Sequence, residues 1–293
     1  MSEIVIKYNP IHIVKDENFD VESIAQYNLY LTVDLYTFTL GVIDTQDHRC
    51  LQIESYLFEN ITDTNDYLEQ LSGLFEDHHF LKVQFWNKVI VTLKNSCFSL
   101  VPKSFFNPLE AVEYLTTNCP FDSNYEKVFH QESNGVIGVF SCQSVISNWL
   151  DKTYANSNVQ YTHHSMCLLE CIMSEFSLEN QKSLYIHIDL TQVTIILTSK
   201  EKLDYCNVLE FQTLEELLNL ILYVANELGL DTESVETVVW LNSESDLESI
   251  DMLKEYFNNL FLGTRPYSLN FGFPFDEIED YQFFDLLSVH YCA

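Results

Sequence analysis

Asp34 and Asp189 each close a run of strand-forming residues and open a short polar turn, Asp34-Leu-Tyr-Thr37 in one case and Asp189-Leu-Thr-Gln192 in the other. A carboxylate in that position has two uses. It can ligate a hard cation such as Mg²⁺, which asks for about six oxygen ligands, more than two short turns supply. It can also accept backbone N–H bonds within its own turn, a common employment of Asp and the one expected here. A second constellation, His163, His164, Cys167 and Cys171, places three metal-ligating types, His163, Cys167 and Cys171, along one helical stripe. The same stretch holds Leu168, Ile172 and Met173, so small thiols packed in a core-facing helix are the expected use. His78 and His79 end a helical stretch, where imidazolium suits the helix dipole and capping is expected. No Gly-x-Ser-x-Gly elbow, Walker loop or HExxH pair occurs, so nothing compels an enzyme.

The elements that must position the two aspartates repeat. Residues 29 to 40 read LYLTVDLYTFTL and residues 184 to 195 read LYIHIDLTQVTI, with Leu29/Leu184, Tyr30/Tyr185, Asp34/Asp189, Leu35/Leu190 and Thr39/Thr194 coinciding. Period-2 alternation on both sides of each turn predicts a β-hairpin. A third strand follows in each half (51 to 58; 205 to 211), then a helix (65 to 75; 214 to 228), then a fourth strand (81 to 86; 237 to 241). Thr213 with Glu216 forms a capping box for the second of these helices, and Gly229 ends it. Between the repeats the pattern predicts strands over 135 to 140 and 159 to 161 and helices over 143 to 154 and 164 to 176. A helix over 246 to 260 and an amphipathic closing segment, with Ile278, Tyr281, Phe284 and Leu287 at helical spacing, end the chain. That segment is expected to pack on the second half. Its aromatic stretch, 270 to 275, offers an alternative as a docking surface.

Composition narrows the function classes. The 293 residues carry 44 acids against 14 bases, a formal charge of −30, with 47% hydrophobic and 14% aromatic residues. The chain folds, and at about twice a typical domain length it suggests two domains. Bare nucleic acid and anionic lipid would be repelled. The arginines are Arg49 and Arg265, which weighs against a grip on highly phosphorylated substrates. No signal-peptide pattern opens the chain, and no run of about 18 apolar residues is present, so cytoplasmic placement is expected. The eight scattered cysteines then read as reduced and mostly buried.

Two tandem βββαβ units, each opening with a hairpin whose first strand ends in Asp, resemble the duplicated ribonuclease H-like fold of actin-like ATPases, a superfamily that includes the pilus and secretion assembly proteins of the PilM and GspL type. More narrowly, the whole chain is similar to an uncharacterised bacterial family of unknown function with this architecture. In active superfamily members, Asp-x-Gly motifs on the two hairpins clamp ATP phosphates and Mg²⁺. Glycine there lets backbone N–H groups approach phosphate oxygens. Here Tyr36 and Thr191 stand at those places, Gly263 and Gly272 are isolated, and no Gly-Gly adenosine element is evident. What the resemblance implies is therefore degenerate phosphate-loop positions at Asp34, Tyr36, Thr37, Asp189 and Thr191.

The expected fold class is α/β, two tandem ribonuclease H-like domains with mixed sheets flanked by helices, divided into residues 1–176 and 177–293. The expected function is a non-catalytic intracellular scaffold or regulatory protein-interaction module, with no cofactor and a protein partner selected, if by charge, for basicity. The alternative is a divergent ATP-binding enzyme or nucleotide-gated switch, with ATP and magnesium at the two aspartates.

Overall fold

The computed structural model describes residues 8–177, 182–200, 202–243 and 247–293. Along the chain come β1 (Tyr8–Lys15), the hairpin β2 (Tyr27–Val33) and β3 (Thr37–Asp44), then β4 (Arg49–Phe58), α1 (Thr64–Asp77) and β5 (Lys88–Leu93). An inserted unit follows, with β6 (Phe98–Pro102), α2 (Ala111–Thr116), β7 (Glu126–Ser133) and β8 (Val136–Gln143). The chain then returns through α3 (Ser144–Thr153), β9 (Val159–His163) and α4 (His164–Cys171). The second half comprises β10 (Lys182–Ile188), β11 (Gln192–Ser199), β12 (Lys202–Glu210), α5 (Leu214–Glu227), β13 (Glu236–Leu241), α6 (Leu247–Lys254), β14 (Leu260–Leu262) and α7 (Phe284–Ser288).

The first sheet has strand order β1-β4-β3-β2-β5-β9 and the second β12-β11-β10-β13-β14, so the second reproduces the order of the first from β4 onward. In each, antiparallel hairpin pairing (Leu31↔Leu40; Ile186↔Ile195) gives way to parallel pairing on the far side of the first hairpin strand (Leu31↔Val91; Ile186↔Val239). A third sheet, β6-β8-β7, is inserted between β5 and α3. Its hairpin turns at Asn134-Gly135, both with positive φ, which asparagine and glycine tolerate best.

Both sides of the first sheet are covered. Leu29, Leu31 and Val33 of β2 face a core with Leu71, Leu74 and Phe75 of α1, while Tyr30 points the other way. There Tyr30, Ile43, Ile53 and Ile90 pack against Leu269, Phe275, Phe283, Leu286 and Val289 from the end of the chain. The closing segment therefore lies mainly on the first sheet, not on the second half alone as its sequence suggests. Tyr281 and Phe284 join the second core, with Tyr291 packed against it, and Phe284 stacks 4.0 Å from Trp240. Of the aromatics in the 270 to 275 stretch, Phe275 is buried and Phe273 is 86% exposed.

Other differences have physical reasons. The fourth strand of the first half lies at Lys88–Leu93 and not over 81 to 86, whose Leu81 and Trp86 are buried as loop residues. A parallel strand covered on both faces reads as a continuous β-branched run, here Val-Ile-Val-Thr, without alternation. Helix α4 loosens into a single π turn at Ile172–Phe176. The helix expected from 246 has its described part at Leu247–Lys254, after which the chain enters β14; Asp246 itself lies outside the described residues. The expectation of eight reduced cysteines fails at Cys97 and Cys119, which form a disulfide with Cα atoms 5.3 Å apart.

Candidate functional site

Four strands of the two sheets end in one place. Asp34 follows β2, Lys94 follows β5, Asp189 follows β10 and Asn242 follows β13, and matching backbone bonds, Lys94 N to Val33 O (2.9 Å) and Asn242 N to Ile188 O (3.3 Å), hold the parallel pairs together there. Ligands of open α/β sheets bind outside such carboxyl ends.

Each hairpin aspartate caps its own turn. Asp34 Oδ1 accepts from Leu35 N at 2.6 Å and Oδ2 from Thr37 Oγ1 at 3.1 Å; Asp189 Oδ1 accepts from Leu190 N at 2.8 Å. The remaining oxygen of Asp189 pairs with the ammonium of Lys94, which also donates to Asp285 Oδ2 at 2.6 Å. Lys94 joins the first half to the second and to α7. Around it, Asn242 Nδ2 donates to Asp285 Oδ2 (3.1 Å) and His187 Nε2 to Asn242 Oδ1 (3.2 Å), with His187 3.8 Å from the carboxylate of Asp285.

The electrostatics follow from burial and sign. Burial opposes the charge of Lys94, yet Asp189, Asp285 and Asp34 together hold its pKa above the ordinary lysine value. Burial would raise Asp285, but Lys94, His187 and Asn242 overcome it and hold the carboxyl well below the usual range. Asp34, which has no such contact with Lys94, is pushed up to about 6 by burial and by the neighbouring Asp189. Burial keeps His187 and His164 below the ordinary histidine value.

A cleft of about 880 Å³ opens beside this cluster, with walls from both halves. Asp34, Tyr36 and Thr191, expected as phosphate-loop positions, line it; Thr37 instead serves the turn, and Asp189 sits behind the wall on Lys94. Tyr36 is 38% exposed. Neither turn has a glycine, and among the described residues the wall's acids, Asp34, Asp63, Glu126, Glu210 and Glu216, face a single base, Lys94, whose charge two carboxylates already neutralise.

The His/Cys stripe is brought together only as packing. His163 donates through Nε2 to Asn95 O (3.0 Å) and caps α4 through Ser165, His164 Nε2 meets Thr194 Oγ1 at 3.0 Å, and Cys167 lies 3.4 Å from Thr162 Oγ1. His78 caps α1 with its backbone, and its imidazole pairs with Glu54 at 2.9 Å. Sequence reasoning missed Lys94, His187, Asn242 and Asp285. For Lys94 a signal existed, a lone lysine directly after a β-branched run; for Asp285, in a segment far along the chain, none did.

The fold is that of actin-like ATPases. A protein of Bacteroides thetaiotaomicron with that fold and unknown function superposes with a TM-score of 0.73 at 18% identity, covering 84% of this chain and 93% of that one. The PilM-PilN type IV pilus biogenesis complex gives 0.57 at 12% identity, with 91% and 98% covered. No curated protein matches the sequence. Residues 16–260 match the DUF3822 proteins of unknown function, and the chain belongs to that family.

Proposed function

We propose that this protein is a non-catalytic member of the actin-like ATPase fold, an intracellular scaffold or regulatory module that acts through protein contacts, with degenerate phosphate loops. The observation that carries the reading is Lys94, whose ammonium meets the carboxylate of the second hairpin and that of Asp285. A fixed internal cation there supplies the positive charge on the second hairpin's aspartate that a divalent ion would otherwise bring. It also ties together the two halves, whose relative motion nucleotide exchange requires. Acidic cleft walls and side chains at the glycine positions add to it. No helix of the described residues is long and apolar enough to cross a membrane. Likeness to the PilM-PilN complex supports protein binding as a use of the fold.

The alternative, a divergent nucleotide-gated switch, has one observation in its favour, the size of the cleft. Calorimetric titration of the full chain with Mg·ATP decides between them. No heat of binding is expected; saturable binding abolished in Asp34→Ala or Asp189→Ala would overturn the reading.

A further inference from the structure

The last turn of the chain brings two thiols of distant origin into one polar cluster. Cys167 lies in α4 and is fully buried; Cys292 belongs to the closing turn, Val289–Cys292, and keeps part of its surface exposed. Cys292 packs against the core that contains Cys167, and the two side chains share a hydrogen bond. Thr162 of β9 donates to Gln131 Oε1 of β7 at 2.5 Å, which turns the amide so that its Nε2 donates to Cys292 Sγ at 3.2 Å. Thr162 Oγ1 also lies 3.4 Å from Cys167 Sγ, and Gln160 Nε2 holds the Cys292 carbonyl at 3.1 Å. None of these residues lines the cleft.

Hydrogen bonds donated to a sulfur favour its thiolate, and the thiolate is the form that reacts. The bond from Cys167, helped by that from Gln131, holds the Cys292 thiol below the ordinary cysteine value against the effect of burial. The other five free cysteines all lie above it. For Cys167, burial and the neighbouring Cys292 push the thiol well up. One sulfur is thus prepared to attack while the other keeps its proton, the division that an oxidisable cysteine and its resolving partner need.

We propose that Cys292 and Cys167 form a redox-modification site, in which a hydroperoxide oxidises Cys292 and Cys167 resolves it to an intramolecular disulfide. The Cys292 thiolate, its proton given to solvent, attacks a peroxide oxygen. The S–O bond forms as the O–O bond breaks, leaving a sulfenic acid and a hydroxide that takes up a proton. Cys167 Sγ then attacks Cys292 Sγ, the S–S bond forms as the S–O bond breaks, and the hydroxide departs with the Cys167 proton as water. The two thiols supply two electrons, and hydrogen peroxide is reduced to two waters. The bond closes a ring that contains the whole second half, and it ties the segment covering the back of the first sheet to α4. The site goes beyond the scaffold reading and does not depend on what the cleft holds.

The test is treatment of the folded full chain with hydrogen peroxide, then blocking of free thiols and peptide mapping without reductant. A Cys167–Cys292 linkage within one copy of the chain is expected, formed at least tenfold faster than any change at Cys50, Cys142, Cys171 or Cys206 and reversed by dithiothreitol. The urea midpoint should rise by about 1 M on oxidation, because a cross-link over so long a ring strongly constrains the unfolded chain. In Cys167→Ser, peroxide should leave a sulfenic acid on Cys292 that dimedone traps; in Cys292→Ser, Cys167 should stay unmodified. Mapping of the native chain decides the matter even if neither variant folds. Oxidation of Cys292 with Cys167 still free, linkage between copies, or equal rates at all six free thiols would overturn the proposal.

Discussion

Lys94 is a fully buried cation whose two carboxylate partners come from distant parts of the chain. Removing one partner of such a group leaves an uncompensated charge, so Lys94→Met is expected to destabilise the fold by about 3–5 kcal/mol in urea denaturation. A loss under 1 kcal/mol would mean that the contacts are dispensable. The acids beside it oppose one another in their pH response. Asp34 titrates at about 6 in the folded state and near 4 when unfolded, so its contribution is complete below about pH 4 and is lost as pH rises through 6. Asp285 is held low, so its contribution is present above about pH 4 and lost as pH falls further. Between pH 5 and 7.5 the buried histidines His163, His164 and His187, held below the ordinary histidine value, make stability rise with pH, and Asp34 opposes them. Thermal midpoints should therefore rise over that range in the native chain and rise more steeply in Asp34→Asn. Equal slopes would contradict the assignment of a raised carboxyl at Asp34.

At the scale of elements, what could be read from the sequence depended on how each segment is covered. The hairpins of β2 with β3 and β10 with β11, and helix α5 with its Thr213 cap, are legible because alternation and capping chemistry are local. Strand β5 was displaced because it is buried on both faces, and that displacement hid Lys94 behind a loop assignment. The β7–β8 hairpin was half seen, although Asn134-Gly135 is a strong turn signal. Asp34 and Asp189 are legible as a pair; the contacts of Lys94 with Asp189 and Asp285 are not, because they depend on how the two sheets and the end of the chain meet. One close approach gives a test at this scale. A Cβ on Gly263 would lie 2.1 Å from Trp240 Cε2, in a ring whose Nε1 donates to Thr264 O at 2.9 Å. Gly263→Ala should lose about 1–3 kcal/mol and shift the tryptophan emission. An unaltered spectrum at native stability would show that the loop yields freely.

Across the whole molecule, the disulfide and the compartment expected from the sequence make opposing demands, since cytosolic thiols are normally kept reduced. The bond closes the segment that carries β6 and α2 of the inserted unit, with Cys97 on the cleft wall. Under denaturing conditions without reductant, a thiol-specific reagent should label Cys50, Cys142, Cys167, Cys171, Cys206 and Cys292 and spare Cys97 and Cys119. Labelling of the pair at the same rate as the rest would count against it. Reduction should lower stability by about 3 kcal/mol, the scale for a loop of this size.

The placement of residues 269–289 over the back of the first sheet has a consequence during synthesis. Tyr30, Ile43 and Ile90 emerge from the ribosome long before the residues that cover them, so a nascent first half presents a bare apolar sheet for the time needed to make most of the remaining chain. Such a chain needs shelter by a chaperone until termination, and arrested 1–176 nascent chains should be captured by one while full-length released chains are not.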